Sequence, residues 1–495
     1  MNQLFRRDSI SRPALLLIAG RSAGFVASFA IPVILARRFD RAAFGTYKQL
    51  FLIYTTLYGL AQFGAAESLY YFVPRSGAEA GRRVCNAVIT LALMGATCCA
   101  VLVGARTSVA RWLVNPDIVH DLPIIGVFLA FTLVTAVFEI VMVSRNEHLK
   151  AACTYAGSDV ARTILFTLPA LAFGSLRAVL IGAVAFAALR VAALVIYLSR
   201  EFGRELRVSL RLWRDQFAYA LPFALAVGID VIQSNFHQWA VASRFDAATF
   251  AIYAVGCLQI PLVDLVCSST GNVMMVRMAE AANEGKSSAL RLWHEAIIRL
   301  ASLIFPLAAF LLLAAHGVIV FLFTSRYAAS VPIFMVWCLM MLPSVFAVDG
   351  VLRAHAQTRF LLVMNTARLA AIAGLITWFM STFGLTGAVL VTLVVTSVAK
   401  ATGVVKIASV MNVGIGEVLP WKRLAATAGH AALAAVPAWW VQRTLTAPLL
   451  LTLVVSAAAY GTALAVIWLI RVSWRQPVGR AAVTRLPSGC PTEET

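Results

Sequence analysis

The sequence predicts an all-α polytopic membrane protein of about fourteen transmembrane helices, arranged as two parallel six-helix lobes plus two C-terminal helices. Three observations predict it. Of 495 residues, 61% are hydrophobic and only 13% charged, and the mean hydropathy is +0.85; soluble domains carry roughly 25% charged residues. The apolar residues fall in runs of about 20, long enough at about 1.5 Å per residue to cross a hydrocarbon core of about 30 Å, and they lack the alternation of barrel strands. Within hydrocarbon every backbone N–H and C=O must be paired, which leaves helices as the spanning element for such runs.

Taken in order, the runs lie near 13–36, 47–73, 84–104, 122–143, 154–173 and 177–198, giving a first lobe over residues 1–199. Arg21 interrupts the first run and no small-x-small site immediately precedes the polar stretch at Arg37, so this run is expected to stay as a membrane helix and not to be cleaved as a signal. After the polar stretch Arg200 to Asp215, six more runs near 217–242, 247–272, 293–323, 330–349, 360–381 and 386–408 give a second lobe over 200–410. Two last runs, near 423–441 and 448–470, follow Pro420-Trp421-Lys422-Arg423 and occupy a segment of 411–495 with a basic tail.

Charge tests this map. The chain carries 41 Lys and Arg against 22 Asp and Glu, a formal charge of +19. In a soluble protein that excess would point to nucleic acid. Here the basic residues sit in short segments between apolar runs and form no basic domain, so nucleic acid is excluded as a partner and lipid headgroups are the expected one. The loops assigned to one face hold 26 Lys and Arg and those of the opposite face hold 10. The positive-inside rule then places both termini in the cytoplasm, in a multi-pass protein of the cell inner membrane. One loop resists the rule: Arg37, Arg38, Arg41 and Lys48 cluster on the opposite face, and loop electrostatics alone does not account for them. The eight cysteines show no CxxC spacing and most lie inside apolar runs, as small packing residues rather than disulfide or metal partners.

An internal repeat supports the division into lobes. Arg38-Phe39-Asp40-Arg41-Ala42-Ala43-Phe44-Gly45-Thr46-Tyr47 recurs 206 residues later as Arg244-Phe245-Asp246-Ala247-Ala248-Thr249-Phe250-Ala251-Ile252-Tyr253, both reading RFDxAxFxxY. Each copy falls between the first and second helix of its lobe. Six helices per lobe is an even number, so both lobes enter the membrane in the same direction and are related by an axis along its normal.

Ionisable side chains at bilayer depth cost a few kcal/mol or more and mark candidate sites. Arg21, with Gly24 and Ser28 three and seven positions on, suits an anionic substrate group, or snorkels to the headgroups. On the seventh helix Asp230, Gln233 and His237 fall at i, i+3 and i+7 on one stripe, with Ser234 and Gln238 beside it. That stripe suits hydroxyl-rich sugars, a coupling proton, or a hydrogen bond to a neighbouring helix. Asp264 follows Pro261 and precedes Ser268, Ser269 and Thr270, where a broken helix lines a polar space or simply packs. Glu67, within Gly64-Ala65-Ala66-Glu67-Ser68, and Glu139 are further candidates, whereas Asp159 and Arg162 at i and i+3 neutralise each other.

Signatures of enzymes are missing from the sequence. Gly285-Lys286-Ser287 resembles the end of a phosphate loop, but Glu280 stands where the first glycine is required. HExxH does not occur, the one GxSxG spacing, Gly20-Arg21-Ser22-Ala23-Gly24, falls inside an apolar helical run and not at a strand-to-helix elbow, and no soluble segment is large enough for a nucleotide-sugar site. The chain is therefore expected to be a transporter, not an enzyme, and to use no cofactor.

Short segments along the chain resemble a known group. They are Ala36-Arg37-Arg38-Phe39 through Phe44-Gly45-Thr46-Tyr47, Tyr219-Ala220-Leu221-Pro222, and Phe250-Ala251-Ile252-Tyr253-Ala254-Val255-Gly256. Tyr327 to Pro332-Ile333-Phe334 and Leu419-Pro420-Trp421 add to them. In order and spacing the sequence resembles the polysaccharide and lipid-linked oligosaccharide flippases of the multidrug/oligosaccharidyl-lipid/polysaccharide exporter superfamily. The resemblance implies two six-helix lobes around a central cationic cavity lined by the first, second, seventh and eighth helices. It also implies a polyprenyl-diphosphate-linked oligosaccharide turned between leaflets, in surface polysaccharide biosynthesis such as that of lipopolysaccharide O-antigen. Arg21 fits such a cavity. Asp230 and Asp264 depart from it, weigh against a strongly anionic glycan, and leave proton or sodium coupling open. A cation-coupled drug exporter of the same superfamily and a membrane-embedded glycan polymerase or transferase are the alternatives.

Overall fold

The computed structural model describes residues 28–260 and 286–474, with 263, 266, 267, 269–271, 273, 274, 277 and 278 between them. Arg21 and Asp264 lie outside the described residues. Every regular element among those described is a helix.

Residues 28–38 are helical. They are followed by α1 (Arg41–Ala61), α2 (Ser68–Phe72), α3 (Ala80–Gly104), α4 (Arg106–Trp112), α5 (Leu122–Val134), α6 (Phe138–Ser144), α7 (His148–Phe173) and α8 (Leu176–Phe202). The chain continues through α9 (Leu210–Ala242), α10 (Ala247–Gly256), α11 (Lys286–Leu313), α12 (Ala315–Phe323), α13 (Val331–Leu339), α14 (Met341–Ser344) and α15 (Val348–Ala354). It ends with α16 (Thr358–Phe383), α17 (Leu385–Met411), α18 (Ile415–Val418), α19 (Trp421–Thr444) and α20 (Leu449–Trp474). Ten helical stretches among the described residues are long and apolar enough to cross a membrane. Large apolar side chains such as Phe173, Val363, Trp440 and Trp468 lie on the outside, where water would penalise them and lipid tails do not.

The run expected over 47–73 is one helix in sequence and two in space. α1 starts six residues earlier, because Asp40 in extended conformation caps it by accepting from the Ala43 amide at 2.8 Å. It then breaks at 62–67, where Phe63 and Gly64 both take positive φ, +48° and +65°.

Both copies of RFDxAxFxxY do the same structural work. Asp246 caps α10 as Asp40 caps α1, accepting from the Thr249 amide at 3.3 Å. The two caps lie at the same end of the bundle, because α1 packs along α10 so closely that a Cβ on Gly45 would run into the carbonyl of Ala247. Phe44 and Phe250, the paired aromatics, are fully buried, and the Phe44 ring meets Tyr327 edge-on at 5.8 Å.

The correspondence between the two halves of the chain runs further than the sequence repeat. Val114 and Thr324, Asn146 and Ala356, and Gly174 and Gly384 all take positive φ, and each pair is separated by 210 residues. α7 and α16 have 26 residues each, and α8 and α17 have 27 each. The change of spacing from 206 to 210 places four extra residues in the second half, between Tyr253 and Thr324. The halves touch where α1 packs against α9 and α10, and where α3 packs against α9. α19 and α20 pair with each other around Ala434, Ala438 and Tyr460, and lean on α11.

Two of the four basic residues in the loop that resists the charge rule find partners here. Arg37 donates to the carbonyls of Phe321 and Leu322, the latter at 3.0 Å, at the C-terminus of α12. The Arg38 guanidinium lies against Gly174, at the C-cap of α7. A cation at a helix C-terminus is stabilised by about 0.3–1 kcal/mol through the macrodipole, so Arg37 and Arg38 each serve a helix end.

Candidate functional site

Polar groups inside an apolar bundle must find partners or face a cavity, since burying one unpaired costs about 1–3 kcal/mol. The polar positions in the described bundle sort by that rule into paired sites and open ones.

Two ion pairs lie inside the first half. Arg190 on α8 reaches both carboxylate oxygens of Glu139 on α6 at 2.9 Å. Arg162 bonds Asp159 at 2.5 Å, the neutralisation expected from their spacing, and both contact Ser28, tying residues 28–38 to α7.

Glu67 lies elsewhere, at the break between α1 and α2. It lines a small space of about 90 Å³ with Gly59, Gln62, Phe63, Phe223 and Val227, the last two from α9. Its Oε2 is buried without a hydrogen-bond partner. Phe63 holds the break closed by stacking on Phe217 of α9, centroids 6.0 Å apart.

The stripe on α9 divides. Gln233 and His237 are buried and line one cavity of about 290 Å³ with Ser234, in the second half. Gln233 donates to the Asn365 carbonyl at 3.1 Å, and His237 Nδ1 meets the Tyr253 hydroxyl at 2.7 Å. The His237 ring also rests on Trp337, centroids 5.5 Å apart. Asp230, three residues before Gln233, is exposed and does not line the cavity. Tyr253→Phe is expected to leave the His237 Nδ1 unpaired and to destabilise the protein by about 1–3 kcal/mol; thermal unfolding in detergent checks it, and an unchanged midpoint would contradict the assigned pairing.

Arg368 on α16 completes that cavity, and the sequence reading passed over it. An ionisable residue inside the apolar run 360–381 meets the same criterion that singled out Arg21. Asp349 and Lys400, which join α15 to α17 at 2.6 Å, were equally legible as charges but not as a pair, since 51 residues separate them. A larger and mostly apolar space of about 580 Å³ opens among α11, α19 and α20, lined by Leu303, Pro306, Phe310, Tyr460 and Trp468, with His430 and Arg471.

A family model described as polysaccharide biosynthesis protein matches residues 34–332. Among solved structures, a lipid II flippase MurJ in an inward closed conformation aligns with a TM-score of 0.70 at 13% identity, covering 92% of this chain and 100% of that one. An inward-facing multidrug resistance MATE family transporter of the MOP superfamily aligns at 0.64 and 14%, covering 81% and 99%. A MOP superfamily transporter from Pyrococcus furiosus, described as having a binding pocket of reversed polarity, aligns at 0.55 and 15%, covering 81% and 95%. At such identities the likeness is one of fold. No curated protein matches the sequence significantly.

Proposed function

Because the chain belongs to the polysaccharide biosynthesis protein family, we propose that it turns a polyprenyl-diphosphate-linked oligosaccharide across the inner membrane by alternating access, for surface polysaccharide biosynthesis. The observation that carries this reading is the seam between duplicated halves, where Gly45 packs on Ala247 at one end of α1 and Glu67 sits uncommitted at the other. An interface between like-oriented repeats is a two-state element, and rocking one against the other exposes the space between them to each side in turn. In this reading residues 1–199 and 200–410 act as the two lobes, and 411–495 is appended to the second. Both termini face the cytoplasm, so the end carrying Asp40 and Asp246 is the outer one.

Arg21, Glu67, Asp230, Gln233, His237 and Asp264 are the substrate path, with Arg21 meeting the diphosphate. Glu67, with a buried carboxylate oxygen free of partners, is the group to exchange a coupling proton or sodium ion. The apolar space among α11, α19 and α20 suits the hydrocarbon of the carrier.

The test is reconstitution of purified protein into vesicles containing a fluorescent polyprenyl-diphosphate oligosaccharide, with a membrane-impermeant quencher outside. A flippase makes the inner-leaflet label accessible while its mass stays constant. A label that stays protected, with cation-driven efflux of a small dye in its place, would identify a drug exporter. A change in the mass of the label would identify a polymerase or transferase.

A further inference from the structure

The cavity bounded by α9, α13, α14, α16 and α17 and by residues 259, 260 and 263 has, among the described residues, one charged lining group, Arg368, among neutral polar ones. Its Nε is buried and has no hydrogen-bond partner, and among the described residues Arg368 forms no ion pair. Among the described residues, two carboxylates lie close enough for their charge to reach it, Asp349 and Asp230. Neither is available: Asp349 is committed to Lys400 at 2.6 Å, and Asp230 is exposed and outside the cavity wall. A cation held at bilayer depth without a partner is costly, and the cost marks a place where something else supplies the counter-charge.

The rest of the lining says what that is. Ser234, Ser344 and Thr392 donate their hydroxyl protons to carbonyls of their own helices at 2.7–2.9 Å, which leaves their oxygens facing outward as acceptors. Gln233 spends its N–H on Asn365 and keeps its carbonyl oxygen. Trp337 supplies an aromatic wall. Acceptors for hydroxyls, a flat apolar face and a planar guanidinium fork that matches a carboxylate form the recognition set of an acidic sugar. The volume of about 290 Å³ admits one small group rather than an oligomer.

Resting on the flippase reading, we propose that this cavity is a subsite for a single uronic-acid residue of the carried saccharide, with its carboxylate on Arg368 and its hydroxyls on the neighbouring acceptors. A monoanion balances the one free guanidinium. A diphosphate would bring two or more negative charges beside Asp349 and Asp230 and be repelled. Asp230, one of the residues that weigh against a strongly anionic glycan, thus acts with Asp349 to limit the anion to one charge at a time.

The experiment is equilibrium binding of radiolabelled methyl glucuronoside to the full chain purified in detergent, with methyl glucoside and inorganic phosphate as competitors. Losing a charge-assisted contact, about 1.5–3 kcal/mol, weakens binding about tenfold or more, so Arg368→Ala is expected to do that and Arg368→Lys to weaken it less. Methyl glucoside and phosphate are expected to compete poorly. Thr396→Leu fills the cavity from another wall, leaves Arg368 in place, and is expected to abolish binding even if Arg368→Ala fails to fold. Equal affinity for glucoside and glucuronoside, effective competition by phosphate, or unaltered binding in folded Arg368→Ala or in Thr396→Leu would overturn the proposal. Binding in detergent is independent of movement between leaflets, so each reading fails by its own assay.

Discussion

Arg190→Ala is expected to destabilise the protein by about 3–5 kcal/mol, because it leaves the Glu139 carboxylate buried and unpaired. The Glu139 side chain is only 5% exposed and that of Arg190 18%, and one guanidinium nitrogen serves both carboxylate oxygens. Water is not there to take over. Replacing both residues by leucine removes the demand along with the supply, and such double replacements are often neutral. The double variant Glu139→Leu/Arg190→Leu should therefore unfold near the wild-type temperature while the single variant unfolds well below it. Similar midpoints for the single variant and wild type would mean that the pair is solvated, contrary to its burial.

Gly45→Leu should reduce transport to the background of protein-free vesicles. α1 and α10 meet with no room for a Cβ at this position, and the obstacle is Ala247 backbone, which cannot rotate aside. The seam must then stay apart at the end where Asp40 and Asp246 lie, and an alternating mechanism loses one of its two states. Gly429→Leu is the control, since nothing stands within 4 Å of the Cβ position there. Transport at the wild-type rate in Gly45→Leu would show that the seam does not need to close.

Helix runs, their basic loops and the repeat were legible because each rests on local chemistry: apolar length, headgroup charge, and an aspartate placed to cap. The longer backbone correspondence was not. Val114 and Thr324, or Asn146 and Ala356, share a left-handed backbone without sharing a residue type; only Gly174 and Gly384 carry the signal in their identity. The break at 62–67 was hidden because Phe63 is no turn former, and its positive φ is held by stacking on Phe217, more than 150 residues away. Of the stripe on α9, period alone placed Asp230 with Gln233 and His237, whereas the neighbouring helices enclose only the last two. The ion pair of Arg190 with Glu139 needed tertiary contact to appear. Arg368 did not; the depth rule applied to every arginine in an apolar run would have found it.

The central claim is that the two halves separate and rejoin at the capped seam. Spin labels at Ala42→Cys and Ala248→Cys, equivalent positions of the repeat, report it directly by double electron–electron resonance in vesicles. A short distance without substrate, joined by a second and longer population when lipid-linked saccharide is present, is the predicted result. One unchanging short distance throughout active transport would contradict it.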